Sequence, residues 1–261
     1  DTSCLGLTQL PITERAGLIW VTLSPTSTLD MDAFFAGYDE LLEFCGFAQM
    51  NHFGTRILAG PNWKISFDGY VDFYHLPILH KNTFGPDMSP DALFHRVGPH
   101  QRVTGPRGNW AKLEDRPTSE WPESVLTGGV WSIFPHGSIA GFEILGHKFY
   151  QVGRVFPGAT AEESVTYLDF ISTAPLTDEF IDAANQQIAF LENVVRDEDY
   201  ATGLKIQRTV KTGAKKVLHF GRNEGGAQYV HGWLDALLKT SDDDLNDLFR
   251  TGIDAGRITN Y

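Results

Sequence analysis

Apolar positions recur along the chain in two periods, one of strands and one of helices, and the order of the two predicts the architecture. Gly17 to Ser24 is a β-rich run closed by Pro25 and reads as a buried strand. After it, Asp30 is placed to cap a helix carrying Phe34, Phe35, Tyr38, Leu41, Leu42 and Cys45, with Gly46 as its stop. Helical spacing returns from Asn62 to about His75, directly after Pro61. Residues 81–128, rich in Gly, Pro, Asp and His, read as loops with short strands. Four β-type segments follow: Val130–Phe134, Ser138–Ile144, Phe149–Phe156 and Ser164–Ile171. Pro135-His136-Gly137 and Pro157-Gly158 supply turns between them, so neighbours are expected to pair antiparallel. One long helix is then expected from Thr177 or Asp178 to Val210, with Phe180, Ala184, Ile188, Leu191 and Val195 on one face. Near the end, Asp242-Asp243-Asp244 reads as a solvated acidic stretch. Strands followed by one long helix predict an α+β fold, a large antiparallel sheet with the C-terminal helix packed on it.

Composition narrows the function more than the fold. The net charge of −12, with no Lys/Arg cluster, argues against a nucleic-acid or anionic-membrane partner. No apolar run approaches the roughly 20 residues of a membrane span. Two cysteines, Cys4 and Cys45, make no C-x-x-C and no disulfide framework, which points to reduced thiols and a cytoplasmic setting. The chain opens on Asp1-Thr2-Ser3-Cys4 without an initiator Met and reads as a cut or processed start. Its 18 Phe and 6 Trp suit a deep apolar pocket as well as a plain core.

The chemistry concentrates in Asp72-Phe73-Tyr74-His75-Leu76-Pro77-Ile78-Leu79-His80. Histidines five apart diverge by about 140° on an unbroken helix. Pro77 is expected to end or kink that helix, so that His80 swings back towards His75 and both rings meet one metal. Asp72, one turn before His75, is placed to hold its second ring nitrogen. The spacing by itself is a weak signal, because His95 and His100 repeat it; those two read as surface loop histidines. On the long helix, Glu198 and Asp199 each fall about 50° from the centre of the apolar face, whereas Asp197 falls about 150° away. A carboxylate on that face needs a cation or metal, and pairing with an Arg serves as well as a metal. Two histidines and one carboxylate match the facial triad of non-haem Fe(II) oxygenases. Zinc hydrolysis on the same triad, or a metal-free module binding an apolar ligand, remain the rival readings.

Asn62-Trp63-Lys64 followed by Asp72-x2-His75-x4-His80 resembles the iron-site signature of Rieske non-haem iron oxygenase α subunits. Glu198-Asp199 with Gln207 is similar to the acidic pair and glutamine of that family, and Thr13–Val21 resembles the last strand of its Rieske domain. Glu224 through Tyr229-Val230-His231-Gly232-Trp233 is similar to a family segment of unassigned role. The resemblance implies a helix-grip-like catalytic domain at residues 30–261, with residues 1–29 as the last Rieske strand and linker. It implies His75, His80 and Asp199 as Fe(II) ligands, Asp72 as the link to a neighbouring subunit's cluster, and Leu76 and Val195 beside the substrate. It also implies oxygen insertion from O2 into an aromatic or apolar substrate, with electrons from NAD(P)H through a ferredoxin and/or reductase and a [2Fe-2S] Rieske cluster. The assembly it implies is a homotrimer, with or without a small subunit. Two departures stand out. Phe67-Asp68 occupies the place of a Glu-Asn pair found in many relatives. The cluster motif C-x-H…C-x2-H is absent, since Cys4 precedes Leu5-Gly6 and Cys45 precedes Gly46-Phe47-Ala48.

Overall fold

A computed structural model of the chain describes residues 5–85, 88, 90–105, 116–121 and 128–253, so Cys4 lies outside the described residues. A hairpin of β1 (Ile12–Arg15) and β2 (Leu18–Val21) precedes two short helices, α1 (Met31–Phe35) and α2 (Tyr38–Leu42). The main sheet contains β3 (Asn51–Gly60), β4 (Leu93–Val97), β5 (His100–Thr104), β6 (Val130–Ile133), β7 (Gly137–Ile144), β8 (His147–Pro157) and β9 (Ser164–Ser172). These seven pair antiparallel in the order β3-β9-β8-β7-β6-β5-β4. Two helices, α3 (Trp63–Val71) and α4 (Leu76–Leu79), fall between β3 and β4. The chain then runs through α5 (Asp178–Val194), a π-helical turn at Val195–Tyr200, α6 (Ala201–Lys211), α7 (Gly225–Leu237) and α8 (Leu245–Thr251). The α+β expectation is borne out, and β6 to β9 fall where alternation placed them. Among the described residues, no helix is long and apolar enough to cross a membrane.

Alternation along the strands gives the sheet two different faces. One face carries Trp131, Ile133, Ile139 and Tyr150 and packs on Tyr38, Leu42 and Phe47. The other carries Leu58, Phe149, Leu168 and Phe170 and is covered by Phe180, Ala184, Ile188 and Leu191 of α5. Thr177 caps α5 by accepting the Phe180 N–H, and Asp178 and Glu179 complement the dipole of its first turn. A third cluster joins α3, α7 and α8 through Phe67, Val71, Val230, Trp233 and Phe249. Here Gly226 is obligatory, because a Cβ would lie 2.3 Å from the Val71 carbonyl oxygen.

Several local expectations are corrected. The first strand is only half buried: Leu18 and Trp20 pack inward, while Ile12 and Ile19 are 66% and 70% exposed. The helix expected after Asp30 is capped as predicted but breaks at Ala36 and Gly37, whose φ angles are +52° and +90°. Leu41 accordingly stays at the surface. The second helix stops at Val71, well before His75. Asp72 leaves helical geometry and its Oδ1 accepts the Tyr74 N–H at 2.7 Å, an Asx turn that outcompetes another helical bond. Pro77 therefore begins the next turn rather than ending the last one. The strand β3 had no readable pattern; its place comes from pairing with β9 along its whole length. His100 is no surface residue. It lies on β5 and is fully buried, with Nε2–H donating to the Phe34 carbonyl and Nδ1 accepting the Phe134 N–H.

Candidate metal centre

Three of the predicted residues meet at one point. The Nε2 atoms of His75 and His80 lie 3.4 Å and 3.2 Å from the same oxygen, Asp199 Oδ1. Donor atoms of these three residues all fall within 4.8 Å of one another, the one such group of His, Cys, Asp and Glu among the described residues. Ligands about 2.1 Å from a metal and about 90° apart stand roughly 3 Å from each other, so the spacing fits a single ion.

The outer nitrogen of each ring is also held. His75 Nδ1–H donates to Asp72 Oδ2 at 3.3 Å, and His80 Nδ1–H donates to Glu198 Oε2 at 2.5 Å. Thr83 Oγ1 donates to the same Glu198 oxygen at 3.0 Å. With each Nδ1 occupied as a donor, the Nε2 lone pairs are turned towards Asp199, which is how carboxylates orient metal-binding imidazoles. Three carboxylates around two histidines leave a negative pocket that suits a divalent cation.

Without a cation the cluster holds protons. Burial pulls the His75 pKa down, but its hydrogen bonds to Asp199 and Asp72 outweigh that and raise it to about 9. His80 is raised for the same reasons, with burial opposed chiefly by Asp199. Burial pushes Asp199 up, yet the two imidazoles hold its carboxyl below the usual value. Burial raises the Tyr70 phenol, and the neighbouring Tyr200 and Asp199 carboxylate add to it.

Glu198 and Asp199 both reach the site because the helix widens into the π turn at Val195–Tyr200. Such a turn inserts an extra residue and re-aims its side chains, which a uniform 100° step does not describe. Asp197 points outward, as helical phase predicts, and pairs with Arg196. Val195 is buried among Leu191, Leu168 and Phe170, and Leu76 is half buried beside His75. Gln207 accepts the Asn62 N–H at 3.1 Å, tying α6 to the start of α3.

Sequence reasoning gave no role to Asp68 or His231, and the structure joins them. His231 Nε2 lies 3.0 Å and 3.3 Å from the two Asp68 oxygens, holding α7 against the helix that leads to Asp72. Burial raises the Asp68 pKa, and the His231 bond opposes it. His231→Ala is expected to cost about 1–2 kcal/mol by leaving that carboxylate unpartnered. Adding Asp68→Asn should recover part of the loss; equal Tm values for wild type and His231→Ala would show the pair to be incidental.

Fold and site together define a class. The chain belongs to the ring-hydroxylating α-subunit family, whose catalytic-domain model matches residues 47–240. Among solved structures it is similar to the quaternary ammonium Rieske monooxygenase CntA in complex with an inhibitor. That match has 18% identity over 87% of this chain and 61% of that chain, with a TM-score of 0.65. It is similar also to NdmA of Pseudomonas putida CBB5 with caffeine, at 15% identity over 94% of this chain and 68% of that one, TM-score 0.56. At these identities the likeness shows the fold. The chain spans only 61% and 60% of the length of two of the CntA structures. No curated protein sequence matches it.

Proposed function

We propose that this chain is the mononuclear-iron catalytic half of a Rieske-type oxygenase, with His75, His80 and Asp199 as the Fe(II) ligands. One observation carries the reading: two imidazole Nε2 atoms converge on one carboxylate oxygen while each Nδ1 is held by a separate carboxylate. When bound, Fe(II) supplies the O2 chemistry of the family, oxygen insertion driven by electrons from NAD(P)H through a Rieske cluster. The protein's own part is to orient the rings, shield the site and hold the substrate. Asp72 orients His75 and is the route by which a neighbouring subunit's cluster would reach the site. Its side chain is 21% exposed, which leaves it reachable from outside.

The outer face of the β1–β2 hairpin supports the reading of residues 1–29 as the end of a Rieske domain, since Ile12 and Ile19 there are 66% and 70% exposed. Electron delivery by a ferredoxin and/or reductase, and a homotrimer with or without a small subunit, follow from the same reading. For the substrate, the sheet face under the site carries Phe149, Leu168 and Phe170, with Val195 packed against them. The chain's 18 Phe and 6 Trp and the family resemblance favour a planar, mainly apolar compound; Leu76 and Val195 are proposed to border it.

Metal content of anaerobically purified protein tests the proposal. Iron near one equivalent is expected; zinc at one equivalent points to a hydrolase, and no metal to an apolar-ligand-binding module.

A further inference from the structure

The sheet face that carries Leu168 and Phe170 also carries polar side chains, and the one set between its two phenylalanines is Gln151. Gln151, on β8, is 4% exposed, and its Oε1 has no hydrogen-bond partner. A buried amide oxygen left unpaired is costly, so native folds rarely keep one without a use. Alternation puts Gln151 on the face of Phe149 and Gly153, and the register sets Ala140 and Phe170 directly across from it. Two of these four neighbours, Ala140 and Gly153, are small.

Distances tie this spot to the metal centre. A Cβ at Gly153 would lie 3.7 Å from the Tyr70 hydroxyl. That hydroxyl in turn feels the Asp199 carboxylate. Phe170 belongs to the same packed cluster as Val195 and Tyr200, which bracket Asp199 in the chain. Gln101 makes the contrast plain. It too is buried, on β5, with an unpartnered Oε1, but its Nε2 already donates to the Gly226 carbonyl, so it is committed to holding α7. Gln151 has no such bond.

We propose that Gln151 is the polar anchor of the substrate cavity. The substrate is then not a bare hydrocarbon but a planar compound with an amide-like edge, a ring N–H beside a carbonyl. A carboxamide offers one acceptor and two donors and matches such an edge in either orientation. This deepens the oxygenase reading and rests on it for the position of the site. Gln151 acts on specificity, not on the reacting atoms.

The test compares quinolin-2(1H)-one with naphthalene, two planar bicycles that differ in the lactam edge, by titration calorimetry on the metal-loaded chain. Wild type is expected to bind the lactam about tenfold more tightly, the worth of a buried hydrogen bond. In Gln151→Leu and Gln151→Met the ratio should fall to about one, with naphthalene binding held within about twofold, which also shows that the variants fold. A ratio near one in wild type, or a tenfold preference surviving in both variants, overturns the proposal. The variants should also melt roughly 2–4 °C higher than wild type, because an unpaired buried amide is removed. A lower Tm would show the amide already satisfied within the fold and would overturn the proposal as well. Iron is assayed on the same samples: its absence would sink the metal assignment, whereas the binding ratio judges Gln151.

Discussion

Asp199→Ala, His75→Ala and His80→Ala should each lose stoichiometric iron while keeping the fold. Two of the three, His75 and Asp199, sit on the rim of the core, whereas His80 is only 2% exposed and its truncation should also lower Tm. Asp199 and His75 side chains are 22% and 20% exposed, so truncation there leaves the α5 stripe and the sheet intact. Removing one of three protein ligands is expected to lower metal affinity by more than the 10–100-fold typical of changes to the outer carboxylates. Three variants calibrate the result. Asp197→Ala should be nearly silent, since that carboxylate pairs with Arg196 at the surface. Glu198→Gln should weaken iron binding by about 10–100-fold without abolishing it, because Glu198 holds only the outer nitrogen of His80. Asp72→Asn should retain iron, and in an intact enzyme slow the oxidation of the cluster in rapid mixing. Iron analysis with circular dichroism decides the ligand set. Full iron in Asp199→Ala with loss in Glu198→Ala would show that the carboxylate ligand is Glu198.

The protein should also lose stability between pH 6.5 and 4 through one residue far from the metal, His100. Burial depresses its pKa to about 4, against a bond to the Phe34 carbonyl that works the other way. The rings of Phe34, Phe35 and Tyr38 surround it. Its hydrogen bonds fix the neutral form, because Nδ1 must stay unprotonated to accept the Phe134 N–H. In the unfolded chain the same imidazole titrates near 6.5, so between those values the unfolded state binds the extra proton. Stability from this group is therefore complete above pH 6.5 and lost as pH falls towards 4, by roughly 2–3 kcal/mol between pH 7 and 4.5. Other groups titrate in the same range, and the comparison with His100→Gln isolates this one. Urea unfolding at pH 7 and 4.5 should show a drop smaller by that amount in the variant. Equal drops in the two proteins would refute the assignment.

The elements whose pattern is local were legible in the amino-acid sequence. Alternation marked β6 to β9, and the stripe of Phe180, Ala184, Ile188 and Leu191 marked α5, because each buries one face and must repeat with its own period. The D-x2-H-x4-H spacing singled out the residues that meet, and helical phase excluded Asp197. Their convergence had other causes than the sequence pattern indicated. The chain turns at Asp72 through a side chain bonded to its own backbone, not at Pro77. Helical phase left Glu198 and Asp199 equivalent, and the π turn separated them, one to the outer nitrogen of His80 and the other to both Nε2 atoms. A widened turn persists where tertiary contacts hold it, here with Tyr200 locked against Thr166 on β9, so no count of residues reveals it. The strand β3, the burial of His100 and the Asp68–His231 pair share that character. Each depends on partners between 34 and 163 positions away in sequence. Local pattern specifies which face of an element is apolar; only the assembled fold specifies what that face meets.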